Sequence, residues 1–382
     1  MIRNIPFARP LIDDLEKNVV LEVLSNPILV HGPKAVDFED QFSAYTKSQF
    51  SVSTSSCTAS LHLSYLYLGI GAGDEVLVPA MTHVATAHAV ELTGAKAVFV
   101  DAEIETGNIN LELIEEKITP KTKAISIVHY LGMPVDMDKL CRIAKKHNLF
   151  LVEDCALAIG TYYKNKHAGT FGDTGCFSFY PVKHMTTAEG GMLTTQQETI
   201  AKSVKYKKAF GVDRHMGERK LPGSYDVIDL GYNYRMNEIE AVIGIIQLKK
   251  VNSFLEKRRE NYNYLTEKLL NIPEVNLFKS THGDFQSSYY CHSIRLTDAL
   301  VPKRLDIIDY LNTKGVGTSI YYPKPVSDFT YYKNKYGYKP NQFPVAAKIA
   351  YNSIALPVGP HLNVEDMHYI ADMVKQAITA NK

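Results

Sequence analysis

From about residue 50 onward, short apolar runs alternate with runs of helical period. DEVLVPA (74–80), KAVFVD (96–101), KAISIVHY (123–130) and LFLVED (149–154) are rich in β-branched residues and apolar on both faces. They predict strands buried on both sides, the pattern of a parallel sheet covered by crossover helices. ATAHAVELTG (85–94) and MDKLCRIAKKHN (137–148) carry apolar residues at helical spacing, and Gly94 ends the first. CFSFYPV predicts a further strand; it is followed by Lys183 and by the glycine pair Gly190 and Gly191. In such sheets ligands collect outside the carboxyl ends of the strands. Asp101, Tyr130 and Asp154 each close one.

The stretch MNEIEAVIGIIQLKKVNSFLEKRRENYNYLTEKLL (236–270) predicts one long helix or two joined helices, a bridge to a second domain. Beyond it, SYYCHSIRL, VGTSIYYP and VEDMHYIADMVKQAI mix strand and helix periods. The expected fold class is α/β, with a large domain (1–250) around a mostly parallel central sheet and a smaller C-terminal α+β domain (251–382).

Composition narrows the function. With 45% hydrophobic residues, 382 residues suffice for a large core. The net charge of +1, without a basic tail, gives nucleic acid or an anionic membrane nothing to bind in bulk. No window approaches 18 continuous apolar residues and the first 20 residues lack an apolar targeting core, so a cytoplasmic protein without a membrane span is expected. The 5 cysteines are odd in number and form no CxxC, which argues against a disulfide framework and a zinc site. His83 and His88 stand five apart rather than at the i, i+4 spacing of two metal ligands on a helix, and no metal is expected. No G-x-G-x-x-G follows a strand, which disfavours a dinucleotide site.

Three features could carry chemistry. In STSSCTASLHLSYLYLG (53–69), small polar residues lead into a helix. First-turn amides and the helix dipole attract an anion, so Ser56 and Thr58 fit a phosphate site; the same residues also fit an ordinary N-cap. Glu153 and Asp154 are neighbours on a strand, so they point to opposite faces and one alone can meet a given ligand. That acid could equally cap the helix that follows. Lys183 is either a surface lysine or an amine held partly desolvated so that it attacks a carbonyl. His184 lies beside it, and the glycine pair would let backbone pass close to a bound group. In this order, a phosphate-binding helix start, a carboxylate and a lysine are what pyridoxal 5'-phosphate (PLP) needs for its phosphate, its pyridinium nitrogen and its aldehyde.

HGPKAVDFEDQFSAYT, SSCTASLHL, GAGDEVLVPAMTHVATAHAV, VFVDAEIETGNIN, VEDCALAIG, GDTGCFSFYPVKHMTTAEGGML and GYNYRMNEIEAVIGIIQL occur in sequence over nearly the whole chain. Through them the chain resembles the DegT/DnrJ/EryC1/StrS family of PLP-dependent nucleotide-sugar aminotransferases. The resemblance implies the aspartate-aminotransferase-like fold (PLP fold type I). Lys183 then matches the lysine that holds the cofactor, and Asp154 the acid at the pyridine nitrogen. Cys57, by its backbone, and Thr58 match the phosphate-binding pair, and Ser178 the serine of S-F-x-x-x-K that also touches the phosphate. Asn233 matches an asparagine reaching the phosphate from the neighbouring subunit, which implies a homodimer with a shared site.

The chain departs from the family pattern at three positions. His83 stands where an aromatic ring often stacks on the cofactor, Leu157 where Gln or His is common, and Tyr321 where His precedes Tyr in H-Y-x-P. Tyr321, His184 and Arg214 are candidate substrate contacts; Arg214 lies with Arg219 and Lys220 in a loop that either meets a diphosphate or is simply solvated. The implied reaction moves the amine of L-glutamate to a keto-sugar on a nucleoside diphosphate, a 4-keto-6-deoxy sugar, in polysaccharide, glycan or antibiotic-sugar biosynthesis. Two alternatives stand beside it. One is a sugar 3-dehydratase of the same family, in which histidine replaces the lysine; the spacing from Ser178 selects Lys183 instead. The other is a non-catalytic sugar-nucleotide sensor on the same fold, from which loss of Lys183 or Asp154 would be expected.

Overall fold

The structure, a computed structural model, describes residues 3–213, 221 and 223–381. Helices α1 (Asp14–Leu24) and α2 (Pro33–Thr46) precede β1 (Phe50–Thr54) and α3 (Cys57–Tyr67). Then come β2 (Glu75–Pro79), α4 (Val84–Glu91), β3 (Lys96–Val100), β4 (Thr122–Val128), α5 (Met137–Lys146) and β5 (Phe150–Asp154). Two short strands, β6 (Tyr162–Tyr163) and β7 (Lys166–His167), lead to β8 (Thr174–Ser178), β9 (Gly191–Thr195) and α6 (Glu198–Lys207).

The seven-stranded sheet has the order β1-β9-β8-β5-β4-β2-β3. The run from β8 to β3 is parallel throughout, and β9 alone runs antiparallel to both its neighbours. The apolar strands are buried on both faces, as their sequences require. Helix α5 shows the local logic of the cover. Met137, Leu140, Ile143 and Ala144 form its buried stripe, the Asp136 side chain caps the Lys139 amide, and lysines fill the last turn.

Two strand ends serve packing rather than a ligand. The Asp101 carboxylate accepts from the amides of Val345 and Ala346 at 3.0 and 2.8 Å, the open first turn of α10 (Pro344–Asn352). The Tyr130 hydroxyl donates to the Tyr321 carbonyl.

Helix α7 (Glu238–Leu269) is a single helix of 32 residues, opened by a capping box of Asn237 and Glu240. The expected boundary at 250/251 falls inside it. Its first half packs on α1 and α2, where Lys250 reaches Glu16 at 2.7 Å. Its second half enters the C-terminal core, where Asn261 donates to the Gly359 carbonyl at 3.1 Å. After it come β10 (Val275–Leu277), β11 (Phe285–Gln286), β12 (His292–Leu296), α8 (Arg304–Thr313), α9 (Thr330–Tyr336), α10, β13 (Ser353–Leu356) and α11 (Val364–Ala380). Strands β10, β12 and β13 form an antiparallel sheet under α8 and α11, while β11 pairs with β6. The N-terminal segment joins this second core. Ile5 bridges to Val316, and Arg3 pairs with Asp366 at 2.7 Å. Among the described residues no helix is long and apolar enough to cross a membrane.

Candidate active site

The carboxyl ends of β2, β4, β5 and β8 open onto one cavity of about 480 Å³, closed on one side by the start of α3. Cys57, Thr58, His83, Asp154, Ser178 and Lys183 all line it.

At the α3 side, Ser56 is the N-cap and accepts from the Ala59 amide at 3.1 Å. The ordinary capping role therefore holds for Ser56, and the Cys57 and Thr58 amides remain without intrahelical partners. A side chain at Gly191 would place its Cβ 2.3 Å from the Ser56 carbonyl carbon and 2.6 Å from the Cys57 nitrogen. This glycine gives its space to the backbone of α3, which can then descend onto β9.

At the β5 end, Asp154 is buried. Its Oδ2 accepts from the Thr86 hydroxyl at 2.8 Å and its Oδ1 from the Ala156 amide at 3.0 Å. Glu153 points to the opposite face. Its Oε2 accepts from His129 Nε2 at 3.0 Å and the Gly169 amide at 2.7 Å, its Oε1 from the amides of Phe171 and Gly172 at 2.8 and 2.6 Å. His129 Nδ1 accepts from the Val135 amide at 3.2 Å, which places the proton on Nε2. His129, Glu153 and Cys155 bring their ligand atoms within 4.8 Å of one another, yet every lone pair of Glu153 is already engaged.

Beyond β8 the chain makes an irregular loop, tied at its base by the Phe179 amide donating to the Gly190 carbonyl at 3.0 Å. Lys183 sits in this loop. Its amine lies 5.6 Å from the centroid of the Tyr290 ring. Burial lowers its pKa, against the opposing pull of Cys57 and Asp154, and so favours the neutral nucleophile. His83 caps α4: its Nδ1 accepts from the Ala85 amide at 3.2 Å, and its ring meets that of Tyr322 edge-on at 5.7 Å. Burial and the neighbouring Lys183 hold the His83 pKa below its usual value.

Residues 10–375 match the DegT/DnrJ/EryC1/StrS aminotransferase family. The chain belongs to this family. It is 36% identical to GDP-perosamine synthase of Escherichia coli O157:H7 over 98% of this chain and 99% of that protein. It is 33% identical to the spore coat polysaccharide biosynthesis protein SpsC of Bacillus subtilis over 98% of this chain and 97% of that one. Among solved structures it is similar to the putative sugar aminotransferase Spr1654 of Streptococcus pneumoniae. The PMP form of Spr1654 gives a TM-score of 0.94 at 29% identity, covering 99% of this chain and 100% of that one. Its PLP form gives 0.93 at 30%, covering 100% of both. The chain is thus a PLP-dependent sugar aminotransferase with the α/β fold of that group. Its residues fit the cofactor: open amides and a hydroxyl for a phosphate, a buried carboxylate with a lone pair to spare for a ring N–H, and an amine biased toward neutrality.

In this aminotransferase three of the residues read from sequence lie elsewhere, and a fourth is not among the described residues. His184 is buried outside the cavity: its Nε2 donates to the Ser288 carbonyl at 3.1 Å and its ring packs 5.5 Å from Tyr290. Burial and nearby Arg258 push its pKa well down. Tyr321 does not line the cavity either; its hydroxyl pairs with that of Tyr290 at 2.9 Å, and the next residue, Tyr322, faces the cavity instead. Asn233 is exposed, accepts from Arg235 Nε at 3.1 Å, and does not line the cavity of its own chain. Arg214, with Arg219 and Lys220, lies outside the described residues. Leu157 lines the cavity and makes that part of its wall apolar. Sequence reasoning missed Thr82, Tyr180, Glu189 and Tyr322, which also line the cavity. Their segments have no periodicity from which a facing direction can be read.

Proposed function

We propose that the enzyme transfers the amino group of L-glutamate to a keto-sugar carried on a nucleoside diphosphate, a 4-keto-6-deoxy sugar, for a surface polysaccharide or related glycan. The observation behind this reading is the convergence of Lys183, Asp154 and the start of α3 on one cavity. The nucleotide-linked substrate is supported by the likeness to GDP-perosamine synthase.

PLP, when bound, supplies the electron sink that lets an amine and a proton be exchanged at carbon. In this reading the first-turn amides of α3, with Thr58 and Ser178, hold the phosphate, and Asp154 accepts from the ring N–H. Lys183 is nucleophile first and general acid–base afterwards. Its amine takes the proton from the donor's α-carbon and, after the keto acid has left, delivers one to the sugar carbon. His83 offers a ring of smaller area than Phe or Tyr above the site.

Asn233 is assigned to the phosphate of a second copy's site. An exposed apolar face beside it supports that assignment: Ile28, Leu29, Val30, Val36, Phe210 and Leu230. The segments are tied together, since the Glu238 amide donates to the Leu29 carbonyl at 2.9 Å and Arg235 lies 4.8 Å over the Phe210 ring. Five free thiols accord with a cytoplasmic enzyme.

The test is turnover with glutamate and a panel of keto-sugar nucleotides, read by mass spectrometry. An aminated sugar is expected. A deoxygenated sugar would establish the dehydratase instead, and no turnover with cofactor bound would favour the sensor. Mixing inactive Lys183→Ala and Asn233→Ala proteins should restore activity if Asn233 acts across a dimer; no restoration would place it within one chain.

A further inference from the structure

We propose that Thr82 and Thr86 form a relay of two hydroxyls that fixes the rotation of the Asp154 carboxylate and directs its free lone pair at the cofactor ring. The proposal rests on Asp154 being the group that meets the ring nitrogen.

Thr86 lies in the first turn of α4 and Thr82 just before it; both are buried, at 0% and 1% exposure. The Thr82 and Thr86 hydroxyl oxygens are 2.7 Å apart, and the Thr86 oxygen is 2.8 Å from Asp154 Oδ2. Their contact holds them together at the helix start, facing the end of β5 through Asp154.

The direction of each bond follows from donor count. A carboxylate accepts and does not donate, so Thr86 spends its single O–H on Oδ2. Its oxygen can then only accept from Thr82, whose O–H must point at Thr86. Both dipoles align on one carboxylate oxygen, and in a buried chain each bond strengthens the next.

The other oxygen is held from the opposite side by the Ala156 amide at 3.0 Å. The Cys57 thiol does not compete. It lies 4.0 Å from Oδ1 but 3.3 Å from the Cys176 carbonyl, and it has one proton to give. Two fixed donors, one per oxygen, leave the carboxylate no freedom to turn. Each oxygen keeps a second lone pair, and the cavity lies on that side. Thr82 and Thr86 are therefore positioning residues: they act through Asp154.

The experiment compares apo wild-type protein with Thr86→Val, Thr86→Ser, Thr82→Val and Asp154→Asn. It reads the PLP dissociation constant and the position of the visible absorption band on titration with PLP, and the melting temperature of each apo form. Thr86→Val keeps the shape and removes the hydroxyl. It should weaken PLP binding about tenfold, the effect of one hydrogen bond to a charged group, and shift the band. Thr86→Ser should restore both, and Thr82→Val should weaken binding about threefold, with apo melting temperatures within a few degrees of wild type. A wild-type dissociation constant and band in Thr86→Val, with both altered in Asp154→Asn, overturns the relay alone. Unchanged values in Asp154→Asn overturn the assignment of Asp154 and the relay with it. If Thr86→Val does not fold, Thr82→Val decides: wild-type PLP binding in it overturns the relay.

Discussion

Two carboxylates stand side by side at the end of β5, both buried, and their surroundings differ in one respect. Glu153 receives four donors, two on each oxygen. Asp154 receives a hydroxyl on one oxygen and an amide on the other, and its remaining lone pairs face a cavity. A buried acid whose acceptors are all engaged is a structural tie; one left half-engaged beside an opening has its energetic reason to exist in what enters. Neither burial nor residue type separates the two. The count of donors does.

The largest effect that bears on this contrast is at Lys183, the amine that shares the cavity with Asp154. Lys183→Ala should lower kcat/KM by about 10⁴-fold, the upper range for a positioned acid–base group, and abolish the visible band of lysine-held cofactor. Glu153→Gln should leave its amide facing N–H donors. It should cost about 2–3 kcal/mol of stability, because a bond to a charged acceptor is lost and a buried donor is left facing an N–H, measured by denaturant midpoint. Asp154→Asn should behave oppositely: apo stability within about 1 kcal/mol, because the Thr86 hydroxyl can turn to accept, a turn that costs no more than about one hydrogen bond, and turnover down about 10²–10³-fold. Equal stability losses in the two variants would erase the distinction.

Acid sharpens it. Burial alone would raise the Glu153 pKa, but the His129 bond and the amides of Gly172 and Gly169 outweigh burial and hold it below the usual 4.5. A carboxyl depressed on folding contributes stability that is present above 4.5 and is lost as pH falls through its folded value. The melting temperature should therefore fall steeply below that pH, and Glu153→Gln should flatten the fall. The smallest effect is at His184. His184→Asn removes the bond to the Ser288 carbonyl, should cost about 1 kcal/mol, and should leave turnover within a few-fold of wild type.

The parallel strands and their helices were legible because two-faced apolar runs admit few other placements. The outer strands β1 and β9 were not, since FSVST and GMLTT read as small polar segments and become buried only through their neighbours. Alternation along β5 told that Glu153 and Asp154 part ways, and the chemical order of α3, Asp154 and Lys183 pointed to the cofactor before any geometry. The loop after β8 defeated the same reasoning. Lys183 and His184 are adjacent, and only the fold of an aperiodic segment decides that the lysine enters the cavity while the histidine faces Ser288. Tyr321 and Tyr322 repeat the problem, and there the neighbour not chosen is the one in the cavity. Asp101 misled for a different reason: an acid at a strand end suits a helix terminus as well as a ligand, and α10 lies too far along the chain to be foreseen.

Helix α7 bears on how the molecule can be taken apart. At 32 residues it is a rod of about 48 Å, rooted at one end against α1 and α2 and at the other in the core that also recruits Ile5 from the opposite terminus. Severing the chain near residue 250 would splinter one helix and strip apolar cover from both cores at once. The two lobes are therefore halves of a single cooperative object, expected to melt in one transition, and limited proteolysis should yield no durable fragment ending there.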